Sequence, residues 1–451
     1  MELNYREKIF LGSVLFLIPT IFIREFVQTS FLNRTQLFLF LIMVASCLVL
    51  AKGVPLYMSL FTLTMGHVLL FIYGMSYGVW LDGITKNLPI VVLLATVPLL
   101  TIPLKNGDYL HNVHSFFNRF ADRPRHLFAI ISILIYCLGS VANLGALRIV
   151  HPLIEDLKFS NKYSARLFAA GYISCSVWSP YFISVTLILH YTGLSFTQYL
   201  KYGVIYSLCL IIIGNIIFGL LEAKNTQIKI AEVQASAATN TKPLLIALGG
   251  LFISIILVEK FVKFSSAFLL VSFVSAIYAI LWSVAIGKLK QFFSLLRTYS
   301  NVVIQIKNES VFFISVGFLG IILVNTPVRG IIERTFSVFF GLPPFLLIIS
   351  IIGLVVTLSS LGLHQVITIT TLALSLDPGT IGLSNIAFTL TLVGSYAMSI
   401  TISPFVPYNI VLAGLLKENV FKIGLKWNLA LGITWILFSG AFISVINIFT
   451  K

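Results

Sequence analysis

Long apolar runs recur along almost the whole sequence, and they constrain the fold more than any other feature. Runs such as 54–80, 199–221 and 265–286 are long enough to cross the ~30 Å hydrocarbon core of a bilayer as helices. Only 10% of the residues are charged, whereas soluble globular domains carry about 25%. The sequence therefore predicts an all-α polytopic membrane protein.

Polar segments divide these runs into an N-terminal helix and two larger parts. The predicted domains are an N-terminal membrane helix within 1–35, a first repeat at 36–221 and a second repeat at 243–451. The segment 222–242 is the longest polar run and is predicted to be a cytoplasmic linker. No small-residue cleavage site follows the apolar run 9–23, so we expect that run to be a membrane helix rather than a signal peptide.

The two repeats carry similar landmarks in the same order, which is the pattern of an internal duplication. Each repeat has a turn with Thr and Pro, a break rich in small polar residues, a Ser-Pro break and a segment that ends in Lys-x-Gly. These landmarks begin, in the first repeat and then the second, at Thr101 and Asn325, Gly139 and Ser359, Trp178 and Ile402, and Gln198 and Asn419. The last pair aligns Gly203 with Gly424.

The segment 127–158 is too long to be a single membrane helix. At 1.5 Å per residue its roughly 32 residues would span about 48 Å, well beyond the hydrocarbon core. Its break after Gly139 instead favours a re-entrant hairpin, and 345–375 is the matching hairpin of the second repeat. Each repeat also has a discontinuous helix, at 165–192 and 387–416. Five crossings plus a hairpin per repeat, an odd number of crossings, make the two repeats inverted relative to each other. Together with the N-terminal helix they give about eleven transmembrane helices.

The charge distribution agrees with this topology when the N-terminus is placed inside. The net charge is +15, and about two-thirds of the Lys and Arg residues fall in the segments predicted to be cytoplasmic. In a membrane protein this excess is the ordinary positive-inside bias, so no nucleic-acid partner is predicted. We expect a multi-pass protein of the cytoplasmic membrane, with the lipid bilayer as a partner.

The breaks are the candidate binding site. In hydrocarbon, unpaired backbone groups survive only where protein or a water-filled cavity covers them, and half-helix N-termini attract anions. Paired breaks in two repeats are typical of a transporter's midplane site, although glycine and proline can also simply kink a membrane helix. The predicted substrate-binding residues are Ser140, Asn143, Gly145, Arg148, Ser176, Ser179, Ser359, Ser360, Gly362, His364, Ser399 and Ser403.

Two of these residues carry or can acquire a charge. Arg148, just past the first break, is either a counter-charge for the substrate or an arginine that extends its guanidinium to the membrane surface. His364, at the second break, is either a proton-coupling group or a neutral hydrogen-bonding partner of the broken helix. Aromatic residues flank the Ser-Pro breaks, namely Tyr172, Trp178, Tyr181, Tyr396 and Tyr408. They could line a cavity, but packing or anchoring at the membrane interface is the default interpretation.

The remaining motifs exclude several classes of chemistry. No phosphate-cradling glycine loop, metal-ligand cluster or nucleophile elbow occurs in the sequence, so we expect neither a cofactor nor an enzyme. Energy for transport would then come from an ion gradient, with H⁺ or Na⁺ as the coupling ion, from the substrate's own gradient or from another protein. The stretch 105–126, which contains His111 and His114, is predicted to be an interfacial amphipathic helix with a basic face.

The segments Ser140–Pro152 and Ser359–Thr371, with the surrounding order of breaks, resemble the ion transporter superfamily. That group includes citrate and dicarboxylate transporters, arsenite permeases and related sodium/proton antiporters. The resemblance implies opposed hairpins, two discontinuous helices and a substrate site between the hairpin tips. It also implies a homodimer formed through a scaffold domain, and elevator-type movement of the transport domain.

These observations together predict a secondary active transporter of a small anion, a carboxylate or an oxyanion, coupled to H⁺ or Na⁺. Two alternatives remain open at this point. A cation/proton antiporter on the same scaffold would require acidic residues at mid-membrane depth. A polytopic enzyme or flippase for lipid-linked substrates would carry long outer loops with reactive side chains, and the outer segments here are short.

Overall fold

The computed structural model describes residues 3–107, 109, 117, 120, 122–155, 157, 159–221, 242–296, 299–337 and 341–451. Every regular element in these ranges is helical, which confirms the all-α prediction. Half of the predicted amphipathic stretch, including His111 and His114, and nearly all of the predicted linker lie outside the described residues.

The α-helices in chain order are α1 (Tyr5–Phe26), α2 (Ser30–Leu50), α3 (Val54–Ile72), α4 (Tyr77–Thr85), α5 (Leu88–Thr96), α6 (Thr101–Asn106), α7 (Pro124–Ala142), α8 (Gly145–Glu155), α9 (Asn161–Ser176), α10 (Ile183–Thr192), α11 (Phe196–Leu221), α12 (Lys242–Phe261), α13 (Ala267–Ala285), α14 (Leu289–Leu296), α15 (Ser300–Gln305), α16 (Lys307–Val324), α17 (Val328–Ser337), α18 (Pro344–Ser360), α19 (Gln365–Ser375), α20 (Asn385–Ile402), α21 (Pro407–Leu416) and α22 (Leu429–Thr450). A 3₁₀ turn (Val97–Leu100) joins α5 to α6, and a π-helix (Lys422–Trp427) precedes α22.

Eleven helical segments in the described ranges are long and apolar enough to cross a membrane, which confirms a polytopic membrane protein. Some of these eleven segments are not the ones that the sequence predicts to cross the membrane. Pro124–Ala142, predicted as a hairpin arm, qualifies by length and hydropathy. The predicted discontinuous helix 165–192 does not, because the structure divides it into two short helices, α9 and α10.

The apolar run 54–80 is not one helix, contrary to the expectation from its hydropathy. The helix α3 ends at Ile72, and Gly74 follows with φ of 56°, a conformation that glycine adopts without strain. Ser76 then caps α4, its hydroxyl accepting a hydrogen bond from the Val79 N–H. The glycine turn and the serine cap therefore divide this run into two helices, although its hydropathy favours a single one.

The described chain forms two compact units, and each unit combines segments from both predicted repeats. Unit 1 comprises Met1–Asn106, Leu251–Thr335 and Thr370–Ser375; unit 2 comprises Gly107–Gly250, Phe336–Ile369 and Leu376–Lys451. The boundaries and the inverted relation of the two sequence repeats remain predictions.

Unit 1 is built around α16. The ring of Phe318 packs against α3 and α4 where glycines leave room, since a Cβ at Gly66 or Gly83 would lie 2.6 or 3.0 Å from that ring. Asn87 adds a polar tie, because its Nδ2 donates to the Phe313 carbonyl at 2.8 Å. These contacts pack segments from the first and the second repeat into one core.

Unit 2 contains both predicted site regions. Trp435 of α22 donates from Nε1 to the Leu210 carbonyl of α11 at 3.0 Å. The side chain of Arg166 on α9 is buried, and its Nε donates to the Trp427 carbonyl of the π-helix at 2.9 Å. Gly171 allows α9 to approach α7 closely, because a Cβ there would lie 2.5 Å from the Ser132 carbonyl oxygen. The two sequence halves are thus joined directly within this unit.

Candidate functional site

The first predicted break is present, and Asn143 forms it. The helix α7 ends at Ala142, and Asn143 follows with φ of 49°. Asparagine tolerates a positive φ better than most side chains because it can bond its local backbone. Here the Leu144 N–H donates to Asn143 Oδ1 at 2.7 Å, and α8 begins at Gly145. We call this turn, residues 143–144, the first tip.

A tyrosine holds the first tip from the broken helix beside it. The hydroxyl of Tyr172 on α9 donates to Asn143 Oδ1 at 2.5 Å. The other end of the amide, Nδ2, lies 3.5 Å from the Tyr181 carbonyl, just after the Ser-Pro break. Both ends of the Asn143 amide are therefore fixed by the segment that separates α9 from α10.

The second tip, residues 361–364, follows α18. The chain turns at Gly362, whose φ of 100° favours glycine, and the Leu363 N–H donates to the Leu358 carbonyl at 3.0 Å. His364 is half-buried, and its Nδ1 accepts a hydrogen bond from the Val366 N–H at the start of α19. In this position the imidazole caps a helix N-terminus.

The same serine contact occurs in both repeats. Ser179 donates to the Ser140 carbonyl at the end of α7, and Ser403 donates to the Ser359 carbonyl at the end of α18, the latter at 2.8 Å. Each serine hydroxyl also accepts a backbone N–H two residues later, from Tyr181 at 3.2 Å and from Phe405 at 3.3 Å. Each Ser-Pro break is thus hydrogen-bonded to the C-terminal end of the helix that leads into the tip, α7 in the first repeat and α18 in the second.

Side-chain contacts extend from each tip into the rest of unit 2. Tyr172, which holds Asn143, stacks on Tyr408 of α21 with ring centroids 4.8 Å apart. At the other tip, the Ser359 hydroxyl lies 3.4 Å from Gln365 Oε1, and the Gln365 side chain is hydrogen-bonded to Tyr396 of α20.

Several buried hydroxyls on α18, α19 and α21 have no hydrogen-bond partner among the described residues. Among them are those of Ser360, Thr368 and Tyr408. An unpaired buried polar group costs about 1–3 kcal/mol, so such groups are rare away from functional sites. Each of these hydroxyls can donate a hydrogen bond.

The predicted residues divide into three groups. Ser140, Asn143, Ser179, Ser359 and Ser403 meet at the two tips, as described above. Ser176 and Ser399 bond carbonyls of their own helices, those of Ile173 and Ser395. Gly145, Ser360, Gly362 and His364 lie at or beside the turns, and Arg148 is exposed one turn into α8.

Three residues at or near the tips are not among the predicted substrate-binding residues. Gln365 immediately follows His364, and the predicted set contains the histidine alone. Tyr172 and Tyr408 are aromatic, and packing is the default expectation for aromatic residues in membrane helices. Arg166, which bonds the Trp427 carbonyl, is the buried charged residue of the described chain, and its position between Ala165 and Leu167 is the sequence signal of that burial.

No cluster of three or more His, Cys, Asp or Glu residues that could hold a metal ion occurs in the part of the chain that the structure describes. The described side chains at the two tips and at the serines that contact them carry an amide, hydroxyls and the His364 imidazole.

Several solved structures are similar to this chain, and two of them are transport proteins. The YdaH transporter of Alcanivorax borkumensis, described as having an unusual topology, is 12% identical with a TM-score of 0.47, over 98% of this chain and 99% of that chain. MtrF of Neisseria gonorrhoeae, from a class of antimetabolite efflux pumps, is 10% identical with a TM-score of 0.36, over 100% and 96%. No protein-family model and no curated protein matches the sequence.

Proposed function

We propose that this protein is a secondary active transporter that carries a small anion, a carboxylate or an oxyanion, across the cytoplasmic membrane. The observation that carries the proposal is a pair of buried hydroxyls, that of Ser360 beside the second tip and that of Tyr408 stacked on Tyr172, which have no hydrogen-bond partner among the described residues. Hydrogen bonds from such donors to a charged acceptor are worth about 1.5–3 kcal/mol each. A bound anion would give them the partner that the protein lacks.

Helix ends support the same class of substrate. The helix α8 begins at Gly145 beside the first tip, α19 begins at Gln365 beside the second, and α21 begins at Pro407 next to Tyr408. Each N-terminus carries unpaired N–H groups and a partial positive charge. Arg148 is exposed and has no ion pair in the described chain, so it is available to a carboxylate that approaches the first tip.

The remaining parts of the proposal concern energy and movement. Coupling to H⁺ or Na⁺ would supply the driving force, and an elevator-type displacement of the unit that holds the site would alternate its access. A homodimer would anchor the rest of the protein, and the N-terminus would lie in the cytoplasm. These features come from the sequence resemblance to the ion transporter superfamily.

Counterflow in proteoliposomes tests the proposed function. Vesicles that contain the purified protein are loaded with one unlabelled carboxylate or oxyanion, and entry of the same radiolabelled anion is followed. At least one member of these two chemical classes should accumulate transiently above equilibrium. Correctly folded protein that supports no counterflow for any of them would contradict the proposal.

Substitutions at the tips give a sharper prediction. Asn143→Ala removes the amide that Tyr172 holds, and Ser360→Ala removes an unpaired hydroxyl, so each should reduce uptake at least about tenfold without lowering membrane expression. Ser444→Ala is the matched control, since Ser444 bonds only the Gly440 carbonyl of its own helix. Uptake should be unchanged in that variant. Full uptake by both tip variants would show that the tip assignment is wrong.

A further inference from the structure

The chain of unit 1 turns sharply at the end of α13. Gly287 follows this helix with φ of 69°, a conformation that glycine adopts without strain. Its N–H donates to the Val284 carbonyl, and the Lys288 N–H donates to the Ser283 carbonyl, both at 2.9 Å. The helix α14 begins directly afterwards. Because α13 is one of the segments long and apolar enough to cross a membrane, α14 lies at the membrane surface.

The helix α14 has the pattern of a helix that lies in the plane of a membrane interface. Its inward face carries Leu289, Phe292 and Leu296, of which Phe292 is buried. The opposite face is polar and exposed. Phe293 and Leu295 lie at the two edges between these faces, and they are 54% and 42% exposed. Such apolar edges beside a polar outer face suit the headgroup region of a bilayer.

Packing brings lysines from two helices to this end of α13. The helix α13 contacts α5, the 3₁₀ turn and α6, and α6 also contacts α14. The last turn of α6 therefore lies at the same end of α13 as α14. Lys105 on that turn and Lys290 on α14 are exposed, and Lys288, between α13 and α14, is partly exposed. We call Lys105, Lys288 and Lys290 the lysine surface.

The positive charge of the lysine surface is not balanced by its described neighbours. The helices α6, α13 and α14 contain no Asp or Glu residue, and none of the three ammonium groups has an ion pair or hydrogen bond to another described residue. The whole connection 286–306 has three basic residues and no acidic one, and Asp108, three positions after Lys105, lies outside the described residues. By contrast, Lys422 pairs with Glu418 at 3.0 Å. The lysine surface therefore suits an anionic partner.

The exposed side of α13 is apolar up to this surface. Ile277, Leu281 and Val284 follow one another at intervals of four and three residues, so they lie on one side of the helix. They are 42%, 57% and 54% exposed. An exposed apolar stripe of two helical turns thus leads along a membrane-crossing helix to a group of lysines.

We propose that the lysine surface binds an anionic phospholipid. The ammonium groups would contact its phosphate, and its acyl chains would lie along the exposed stripe of α13. Basic residues next to the end of a membrane helix attract anionic lipids, and each strengthens binding about fivefold near the surface. A soluble anion would use the lysines but gain nothing from the apolar stripe. The inference goes beyond the proposed function and does not depend on it.

Lipid binding to the purified protein in an uncharged detergent tests the proposal. The affinities of fluorescently labelled phosphatidylglycerol and phosphatidylcholine with the same acyl chains are compared. Phosphatidylglycerol should bind at least about tenfold more tightly, because only its headgroup carries a net negative charge. The preference should shrink as NaCl is added, since salt screens exposed charges.

A triple variant, Lys105→Gln with Lys288→Gln and Lys290→Gln, tests the lysines themselves. It removes three positive charges from positions that are exposed or partly exposed, so the unfolding midpoint should stay within about 1–2 °C of that of the wild type. Its affinity for phosphatidylglycerol should fall to that for phosphatidylcholine.

The matched control is Lys201→Gln with Lys260→Gln and Lys263→Gln. These three lysines are also exposed, so the control loses the same net charge from other parts of the surface. It should keep the preference for phosphatidylglycerol. Inorganic phosphate at millimolar concentration should not displace the labelled lipid from the wild-type protein.

Four outcomes would overturn the assignment. They are equal affinities of the wild type for the two lipids, a preference retained by the triple variant, an equal loss in the control, and displacement of the lipid by inorganic phosphate. The last would indicate a site for free phosphate. None of these measurements involves transport, so a protein without anion counterflow could still bind the lipid, and the two proposals fail separately.

Discussion

Gly171→Ala should strongly destabilise unit 2. The added Cβ would lie 2.5 Å from the Ser132 carbonyl oxygen and 2.7 Å from Ile135 Cβ, so α7 and α9 would have to separate. The nearest obstacle is backbone, which cannot rotate away as a flexible side chain can. Overpacking of a closely packed helix pair typically costs about 1–3 kcal/mol, and we expect the upper part of this range or more.

The measurement is the apparent unfolding midpoint of the purified protein, which should fall by about 6–12 °C. Gly353→Ala is the control, and it should change the unfolding midpoint in the opposite direction. Gly353 lies inside α18, and a Cβ there would meet nothing within 4 Å. Alanine should raise the midpoint slightly, because it is a better helix former than glycine by about 0.5–1 kcal/mol. Equal effects of the two substitutions would show that α7 and α9 are not in close contact.

The sequence predicted the positions of the breaks because their causes are local. Gly362 permits a positive φ, Pro404 removes a backbone donor, and Asn143 bonds its own backbone; each effect depends on the residue itself and its immediate neighbours. The two aligned Ser-Pro motifs also make the same contact in the structure, since Ser179 and Ser403 donate equivalent hydrogen bonds. The repeat alignment was informative because both copies face the same packing problem.

The partners of these residues could not be read from the sequence. The Tyr172 hydroxyl meets an amide 29 positions earlier in the chain, and Arg166 meets a carbonyl 261 positions later. The absence of a partner is harder still to predict, because it depends on every neighbour of an atom.

Tyr408→Phe should abolish most uptake while leaving the protein as stable as before, or slightly more stable. The Tyr408 hydroxyl is buried without a partner among the described residues, so its removal breaks no protein hydrogen bond and relieves a desolvation cost. The phenylalanine ring can keep its stacking on Tyr172, at a centroid distance of 4.8 Å. If the hydroxyl donates to a bound anion, its loss removes about 1.5–3 kcal/mol of binding, or at least about tenfold in uptake at low substrate concentration.

Tyr199→Phe should show the opposite pattern, a loss of stability without a loss of uptake per folded molecule. The comparison thereby distinguishes a hydroxyl that binds substrate from one that stabilises the fold. Tyr199 is equally buried, but its hydroxyl donates to the Val177 carbonyl, which has no other donor among the described residues. Removing it leaves a buried acceptor unpaired and should lower stability by about 1–3 kcal/mol. Uptake per folded molecule and the unfolding midpoint are measured for both variants. A loss of stability in Tyr408→Phe with unchanged uptake would assign its hydroxyl to the fold, and the anion site would then lie elsewhere.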